Sequence, residues 1–503
     1  MRKFTAEKAL SRLQATLILM VVAVITTFTI LSPMETIRTI ITIITMLALV
    51  NLVFVLMMAI GSASIKRSES DLYPLNWETL PRVTVFSPMR HEGRVVKRHV
   101  DKVSRLIWPR DRVEFLPLVR EDDFAGPMAS DEERKNATLN ALEAYGPLPE
   151  GFRIVLVPPS HYGSKPAQLE WGRKEMTGEF FLILDAENIP DPNLLLGAYR
   201  EFLTSKHKER LGGVQAVPVV SNWQRGFFPR YQAAEYTAHY RHFDPGMIKL
   251  GLLTPLSGNS VLFRTSAVEA VGGYDRHNKA EDADLSVMLA RGGYQIGTID
   301  IETTEEAPRS FDSWIKQRRR WMDGFAQTYF THMREPFQLL KDLRPINFMV
   351  FQLMFGIRPF LQLVNPFVVA LALIYGSCLA LQPWVDNSTT QNIILTLQEI
   401  YSPLAKGMGM VLMFVGSLTF FYSLLIACMR QRMWKSVPLM PLVVFYWGAQ
   451  FIAQWWAMKD FLTGAGWHKT AHEDEEAVIN TTPTYAYGSS QPQAVYANKG
   501  SAD

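Results

Sequence analysis

Long apolar, nearly uncharged runs toward both ends of this 503-residue chain constrain its fold more than any other feature. Residues 14–31 and 37–60 form the first two runs, and 348–382, 403–429 and 437–458 the last three. Runs of about 20 apolar residues are read as bilayer-crossing helices, because only a helix satisfies its own backbone in lipid. The second run follows too closely for the first to be a cleaved signal. Between the two groups the chain mixes apolar and charged residues and reads as a domain folded in water. A net charge of only +3 implies no general affinity for nucleic acid. Cys378 and Cys428 both lie in apolar runs and read as membrane-buried thiols rather than a disulfide framework.

Arg2, Lys3, Lys8 and Arg12 precede the first run, and Lys66 and Arg67 follow the second. The positive-inside rule puts both flanks in the cytoplasm, and the middle domain with them. The run 348–382 is too long for one untilted helix, and Arg358-Pro359 splits it into an interfacial helix and a span from about Leu361. The stretch 383–402 has no Lys or Arg and reads as an external loop; Arg430, Arg432 and Lys435 mark an internal one. One more full crossing would carry the tail outside. The expectation is a tail at the cytoplasmic face, with 437–458 re-entrant or bent at Pro438 and Pro441. Beyond about Glu476 the chain is polar and reads as disordered. The divisions are then 1–65, an N-terminal helix pair; 66–310, a cytoplasmic domain; 311–360, interfacial helices; 361–460, a C-terminal membrane region; and 461–503, a tail.

Within the middle, residues 81–88, 113–119, 153–158 and 179–184 read as strands, and 97–107 and 167–177 as helices. That alternation implies an α/β domain with a mostly parallel sheet, whose ligands bind beyond the carboxyl ends of the strands. Three of those ends carry acids: Glu92, then Glu121-Asp122-Asp123, then Asp185-Ala186-Glu187. Such a set fits a nucleotide and metal site. The spacing of Asp185 and Glu187 lets two carboxylates approach one hard divalent cation, Mg²⁺ or Mn²⁺, bound to a diphosphate.

Further on, Ser257-Gly258-Asn259 precedes the strand 261–264, and small hydroxylated residues with Gly suit close contact with a sugar. Glu281-Asp282-Ala283-Asp284-Leu285 opens a helix that runs to about Arg291. Acids favour a first helical turn for dipole reasons alone. The chemical reading makes Asp282, beside Glu281, a general base for an attacking hydroxyl. An ordinary Asp, with a pKa near ~3.9, would be ionised and ready. Residues 311–331 read as a helix holding Gln317-Arg318-Arg319-Arg320-Trp321. A Trp face can stack on a pyranose, an Arg can neutralise a diphosphate, and a Gln can bond sugar hydroxyls. A helix lying on a membrane surface shows the same mixture of Trp and Arg.

In their order, Ser164-Lys165-Pro166, Asp185-Ala186-Glu187, Glu281 to Leu285, Glu305-Glu306-Ala307-Pro308 and Gln317 to Trp321 resemble the motif set of processive family 2 glycosyltransferases. That group holds the cellulose, curdlan, chitin and hyaluronan synthases, and the resemblance covers roughly residues 81–472. It implies a GT-A (nucleotide-diphospho-sugar transferase) domain inserted between transmembrane helices, in the bacterial inner membrane. The implied activity is inverting and processive: a nucleotide-sugar donor, a UDP-sugar such as UDP-glucose, extends the non-reducing end of a growing β-linked polysaccharide, which passes across the bilayer. In that scheme Asp122 or Asp123 contacts the nucleotide, Lys165 holds base or diphosphate, and Asp185 and Glu187 manage the metal-diphosphate. Asp282 is the base, while Gln317, Arg320 and Trp321 hold the diphosphate and the acceptor end. Trp467 to His472, with Lys469, resembles a short segment that lies over the active site in related synthases. Two departures stand out: Ala280 replaces the usual Thr before Glu-Asp, and Glu187 replaces the commoner Asp. No cyclic-dinucleotide-binding module is recognisable after the last run. A homo-oligomer or an export or periplasmic partner is compatible with the reading. The competing readings are a single-addition transferase acting on a lipid-linked acceptor and a catalytically silent membrane subunit of an export complex.

Overall fold

Two apolar sets alternate along the first strands, and the sheet they build is covered on both faces. In the computed structural model, which describes residues 5–6, 10–62, 75–382, 384 and 388–464, β1 (Val83–Met89) turns Val83 and Val85 to one side and Phe86 to the other. β2 (Val113–Arg120) does likewise with Val113 and Phe115 against Leu116 and Leu118. Leu194, Leu195, Ala198 and Phe202 of the helix Leu194–Thr204 pack the first face. Leu169 of the helix Lys165–Glu175 and Leu285 and Leu289 of the helix Glu281–Arg291 pack the second. With helices on both faces, a strand carries apolar residues on both of its sides, as in a parallel α/β sheet.

β3 (Val155–Val157), β4 (Phe180–Ile183), β5 (Ile189–Pro190), β6 (Leu211–Val220), β7 (Val261–Arg264) and β8 (Gln295–Glu305) complete the sheet, in the order β3-β2-β1-β4-β7-β6-β8-β5. β1 pairs parallel with β2 and β4, β2 with β3, and β6 with β8. β7 runs antiparallel to β4 and β6, and β5 antiparallel to β8. The strand expected at 153–158 is confined to Val155–Val157, because a 3-10 turn takes over at Pro159–His161. The helix expected at 97–107 is Val96–Val103; beyond it the Ile107 N–H bonds to Pro192 O at 2.9 Å, which draws the chain out of helical register. β6 and β8 were not foreseen. Gly212, Gly213 and Pro218 argue against a strand, yet β6 is buried along its whole length.

Among the described residues, Arg12–Leu31, Pro33–Ala59, Pro336–Leu381, Pro403–Arg430 and Trp434–Thr463 are long and apolar enough to cross a membrane, by length and composition. Of the flanking charges used for orientation, Arg2, Lys3, Lys8, Lys66 and Arg67 lie outside the described residues, as does the tail beyond 464. Where an interruption was expected at Arg358-Pro359, a π-helical segment, Gln352–Ile357, leads into Arg358–Leu381 without leaving helical φ/ψ, and a sharper break falls upstream at Arg344, whose φ is 61°, just before Pro345. A proline ring disfavours the helical conformation of the residue before it. Pro359 directly follows that π-helical turn, and a proline inside a helix removes one backbone hydrogen bond, a disruption of the kind that accompanies such irregular turns. The expected external loop 383–402 contains a helix, Ser388–Ile400. Pro438 and Pro441 bend a 3-10 segment, Trp434–Leu442, that precedes an uninterrupted helix, Val443–Thr463. At about 1.5 Å per residue that helix alone has the length of a crossing.

Candidate active site

Because β1, β2, β3 and β4 run parallel, their carboxyl ends share one edge of the sheet. At the end of β1, His91 has a left-handed φ of 54° and donates its N–H to Asp123 Oδ2 at 2.7 Å. Asp123 is 1% exposed and also accepts the Thr138 N–H (3.2 Å) and hydroxyl (2.6 Å). Glu92 is buried nearby, its N–H bonded to Thr138 Oγ1 at 3.0 Å. Asp123 thus ties the end of β1 to the loop after β2. Asp122 stays at the surface, its carboxylate bonded by Arg120 Nε at 2.8 Å and its N–H by Tyr162 Oη at 3.1 Å. The hydrogen bond from Arg120 holds the Asp122 carboxyl below its ordinary value. The same guanidinium lies 3.9 Å from the centre of the Tyr162 ring.

After β4 the chain turns through Asp185-Ala186-Glu187. The Asp185 N–H bonds to Asn188 Oδ1 at 2.9 Å, and the Asn188 N–H returns to Asp185 O at 3.0 Å. From below, His99 Nδ1 meets Ala186 O at 3.0 Å and Nε2 meets Ser87 Oγ at 2.7 Å. Burial pushes the His99 imidazole down to about 4. At neutral pH the ring is therefore uncharged: Nδ1–H donates to the carbonyl, and Nε2 accepts from the Ser87 hydroxyl.

Lys165 joins the separate motifs. Ser164 caps its helix by accepting the Ala167 N–H at 3.3 Å, which fixes where the lysine leaves the backbone. Its Nζ lies 2.5 Å from Asp185 Oδ1, 2.8 Å from Gly258 O and 3.7 Å from Glu281 Oε1. Burial alone would depress the ammonium, but Asp185 and Glu281 outweigh it and raise the pKa. Lys165 remains a cation.

On the other side of Gly258 stands Asp282. Its Oδ2 accepts the Gly258 N–H at 2.5 Å, and its Oδ1 accepts the Ala283 N–H at 2.8 Å. A Cβ at position 258 would lie 3.0 Å from Asp282 Oδ2, so a glycine permits this approach. The Asp282 carboxyl departs from the ordinary value expected of it. Burial first, and the charge of Glu281 second, push it up to about 7 against the pull of the Ala283 N–H, Lys165 and Arg320. Ser257 and Asn259 frame the same glycine: Ser257 N–H and Oγ bond to Gln215 Oε1 at 3.0 and 2.9 Å, and Asn259 Nδ2 donates to Glu305 Oε2 at 2.8 Å.

Helix Phe311–His332 distributes its five-residue motif unequally. Arg318 is buried and binds both oxygens of Glu235, at 3.0 and 2.7 Å, with Tyr446 Oη at 3.0 Å. Its guanidinium lies 4.6 Å from the Trp321 ring centre, so Trp321 already has a cation on one face. Arg319 makes a two-pronged pair with Asp460 of the helix Val443–Thr463. Arg320 instead lines a cavity of about 380 Å³ with Tyr162, Ser164, Lys165, Arg276 and Glu281. Among the described residues, Arg320 Nε and Gln317 Oε1 are buried without hydrogen-bond partners. Gly324 of this helix sits where a Cβ would lie 2.4 Å from Ala280 N, so the helix presses directly on the entry to the Asp282 helix. Lys469 lies outside the described residues.

Residues 180–395 match the family model described as glycosyl transferase family group 2. That stretch, less than half of the chain, matches a glycosyltransferase family 2 domain. Its sheet is the GT-A-like nucleotide-sugar transferase fold, flanked by apolar helices. The chain is 24% identical over 289 residues to a probable glycosyltransferase, YdaM, of Bacillus subtilis (strain 168), which covers 56% of this chain and 65% of that protein. It is 27% identical over 254 residues to probable glucomannan 4-beta-mannosyltransferase 7 of Oryza sativa subsp. japonica, covering 50% of this chain and 41% of that one. It thus spans less than two thirds of the length of either relative. Among solved structures it is similar to the mannosyltransferase PcManGT from Pyrobaculum calidifontis in complex with GDP-Man and Mn²⁺. That match has a TM-score of 0.49 and 18% identity, and covers 80% of this chain and 99% of that one.

Several residues that shape this site were not singled out from sequence. His99, under Ala186, is one buried histidine on a helix. Glu235, which holds Arg318, is one acid on a helix remote in sequence. Glu305 entered only as the first letter of Glu-Glu-Ala-Pro, yet it lies beside Asn259 and receives a hydrogen bond from Tyr236. Burial, then the nearby Glu187, push its carboxyl up to about 7.

Proposed function

We propose that this glycosyltransferase is an inverting, processive membrane enzyme. It transfers a hexose from a nucleotide-sugar, a UDP-sugar first among candidates, to the non-reducing end of a β-linked polysaccharide. The observation that carries the reading is the junction at Gly258. A carboxylate raised toward neutrality bonds its N–H, and a buried ammonium paired with Asp185 bonds its carbonyl. A base and a cation for a leaving diphosphate then stand on the two sides of one residue.

In this mechanism Asp282 takes the proton of an acceptor hydroxyl as that oxygen attacks the anomeric carbon. A base titrating near the working pH is well matched to that task. Lys165 and Arg320 hold the diphosphate as negative charge grows on it, Glu281 keeps Lys165 aligned, and Gln317 bonds the donor. Glu92, Asp122 and Asp123 organise the nucleotide end, with Asp122 the carboxylate open to a base or ribose. Ser257, Gly258, Asn259 and Trp321 face the acceptor.

The donor set fits Mg²⁺ or Mn²⁺. Asp185 and Glu187 offer hard oxygen ligands, and His99 braces the carbonyl between them. No group of three metal-binding side chains converges among the described residues, which suits an ion completed by substrate phosphates and water. Bound there, the cation would offset charge on the departing diphosphate. The polymer would pass between apolar helices of an inner membrane, with the catalytic domain cytoplasmic and Trp321 near the entry.

Purified protein in lipid nanodiscs, offered radiolabelled UDP- and GDP-sugars with Mg²⁺ or Mn²⁺, tests this reading. The expected result is a polymer on gels, cut by hydrolases specific for one β linkage. A product stopping at one added sugar would exclude processivity, and no transfer from any donor would exclude the activity.

A further inference from the structure

Glu305 is the last residue of β8, whose neighbour β5 begins two residues after Glu187. The end of β8 is thereby brought beside the Asp185–Glu187 turn. Two donors fix the Glu305 carboxyl: Asn259 Nδ2, at 2.8 Å from Oε2, and the Tyr236 hydroxyl. A carboxylate has room for about four hydrogen bonds. Asn259 adds a second acceptor beside that carboxyl. Its side-chain nitrogen is engaged by Glu305, while its Oδ1 is buried without a partner. Asn259 directly follows Gly258, whose N–H is on the Asp282 carboxylate. Glu305 and the base are thus linked through a single dipeptide.

We propose that Glu305 and Asn259 form a hydroxyl-recognising subsite for the acceptor sugar, holding the ring whose hydroxyl Asp282 deprotonates. This rests on the glycosyl-transfer reading above and adds a substrate class to it. The Asn259 oxygen and the Glu305 carboxyl both accept from hydroxyls, so the ring presents neighbouring hydroxyl groups. With Asp185 and Glu187 given over to Lys165 and the divalent cation, the Glu305 carboxyl is the acidic group the acceptor ring meets here. An acceptor ring carrying its own carboxylate is repelled, so the acceptor is a neutral sugar and not a uronic acid.

The test uses the full chain in nanodiscs and whichever nucleotide-sugar supports transfer. The acceptors are neutral β-linked gluco- and manno-oligosaccharides, their monodeoxy analogues, and oligosaccharides ending in glucuronic acid. The wild type should discriminate against at least one monodeoxy acceptor and fail to extend the glucuronic acid terminus. Glu305→Gln and Glu305→Ala should each lower kcat/KM for the neutral acceptor by roughly tenfold, as expected when a recognised hydroxyl loses its partner. Glu305→Ala should also erase the discrimination against that monodeoxy acceptor. Donor KM and half-saturating Mn²⁺ should not move in Glu305→Gln, which keeps the side-chain shape if the alanine variant does not fold. Unchanged acceptor kinetics in Glu305→Gln, or a shift in its Mn²⁺ requirement marking a metal ligand, would overturn the proposal. A wild type that transfers nothing overturns the underlying reading itself.

Discussion

At Asp282, burial and the charge of Glu281 outweigh the Ala283 N–H, Lys165 and Arg320, and the carboxyl settles near neutrality. The sign of the pH dependence follows. A base must be unprotonated to accept a proton, so activity is low below the raised pKa and full above it. With saturating donor, kcat/KM for the acceptor should climb about tenfold per pH unit up to about 7 and then level off. A profile already flat from about pH 5 would mean the carboxyl keeps an ordinary aspartate pKa. Sequence could name Asp282 because its motif is short and ordered, but it could not supply the raised pKa, which comes from burial. The pentad shows the same boundary. Three consecutive arginines are alike on paper; helix rotation sends Arg318 to Glu235, Arg319 to Asp460 and Arg320 into the cavity. Glu305 was beyond reach for a related reason. Its partners Asn259 and Tyr236 are brought to it only by strand order.

Among the elements, the helix Phe311–His332 connects the site to the apolar helices. Gly324 seats it on Ala280, and Arg319 clamps it to Asp460 of Val443–Thr463. In a double-mutant cycle on thermal unfolding in detergent, Arg319→Ala and Asp460→Ala should show a coupling of about 1–3 kcal/mol, as for a paired, partly buried charge. Additive effects within about 0.5 kcal/mol would show that the clamp contributes nothing of its own. This helix was legible from its Trp spacing, and its observed limits agree with the expected 311–331 to within one residue. β6 was not, because Gly212, Gly213 and Pro218 look like breakers when their neighbours are unknown. Arg344 and Arg358 each precede a proline, yet the first breaks the helix and the second only follows a π-helical turn, a difference local sequence does not display.

On the scale of the whole molecule, a GT-A-like domain lies in sequence between two groups of apolar helices. Composition made this division readable: runs of crossing length stand out from a mixed middle segment. The number of crossings did not follow from it, since Val443–Thr463 packs a Tyr446-bearing face on the pentad helix and is still long enough to span. What unites the levels is the proposed base, Asp282, at one side of Gly258 and the proposed diphosphate-binding cation, Lys165, at the other. Nucleotide-sugar binding and sugar transfer measured side by side in wild type and Asp282→Asn test that claim most directly. The account expects the variant to bind donor with unchanged affinity and to transfer sugar on the order of 10²–10⁴ times more slowly. Transfer at the wild-type rate by Asp282→Asn would contradict it.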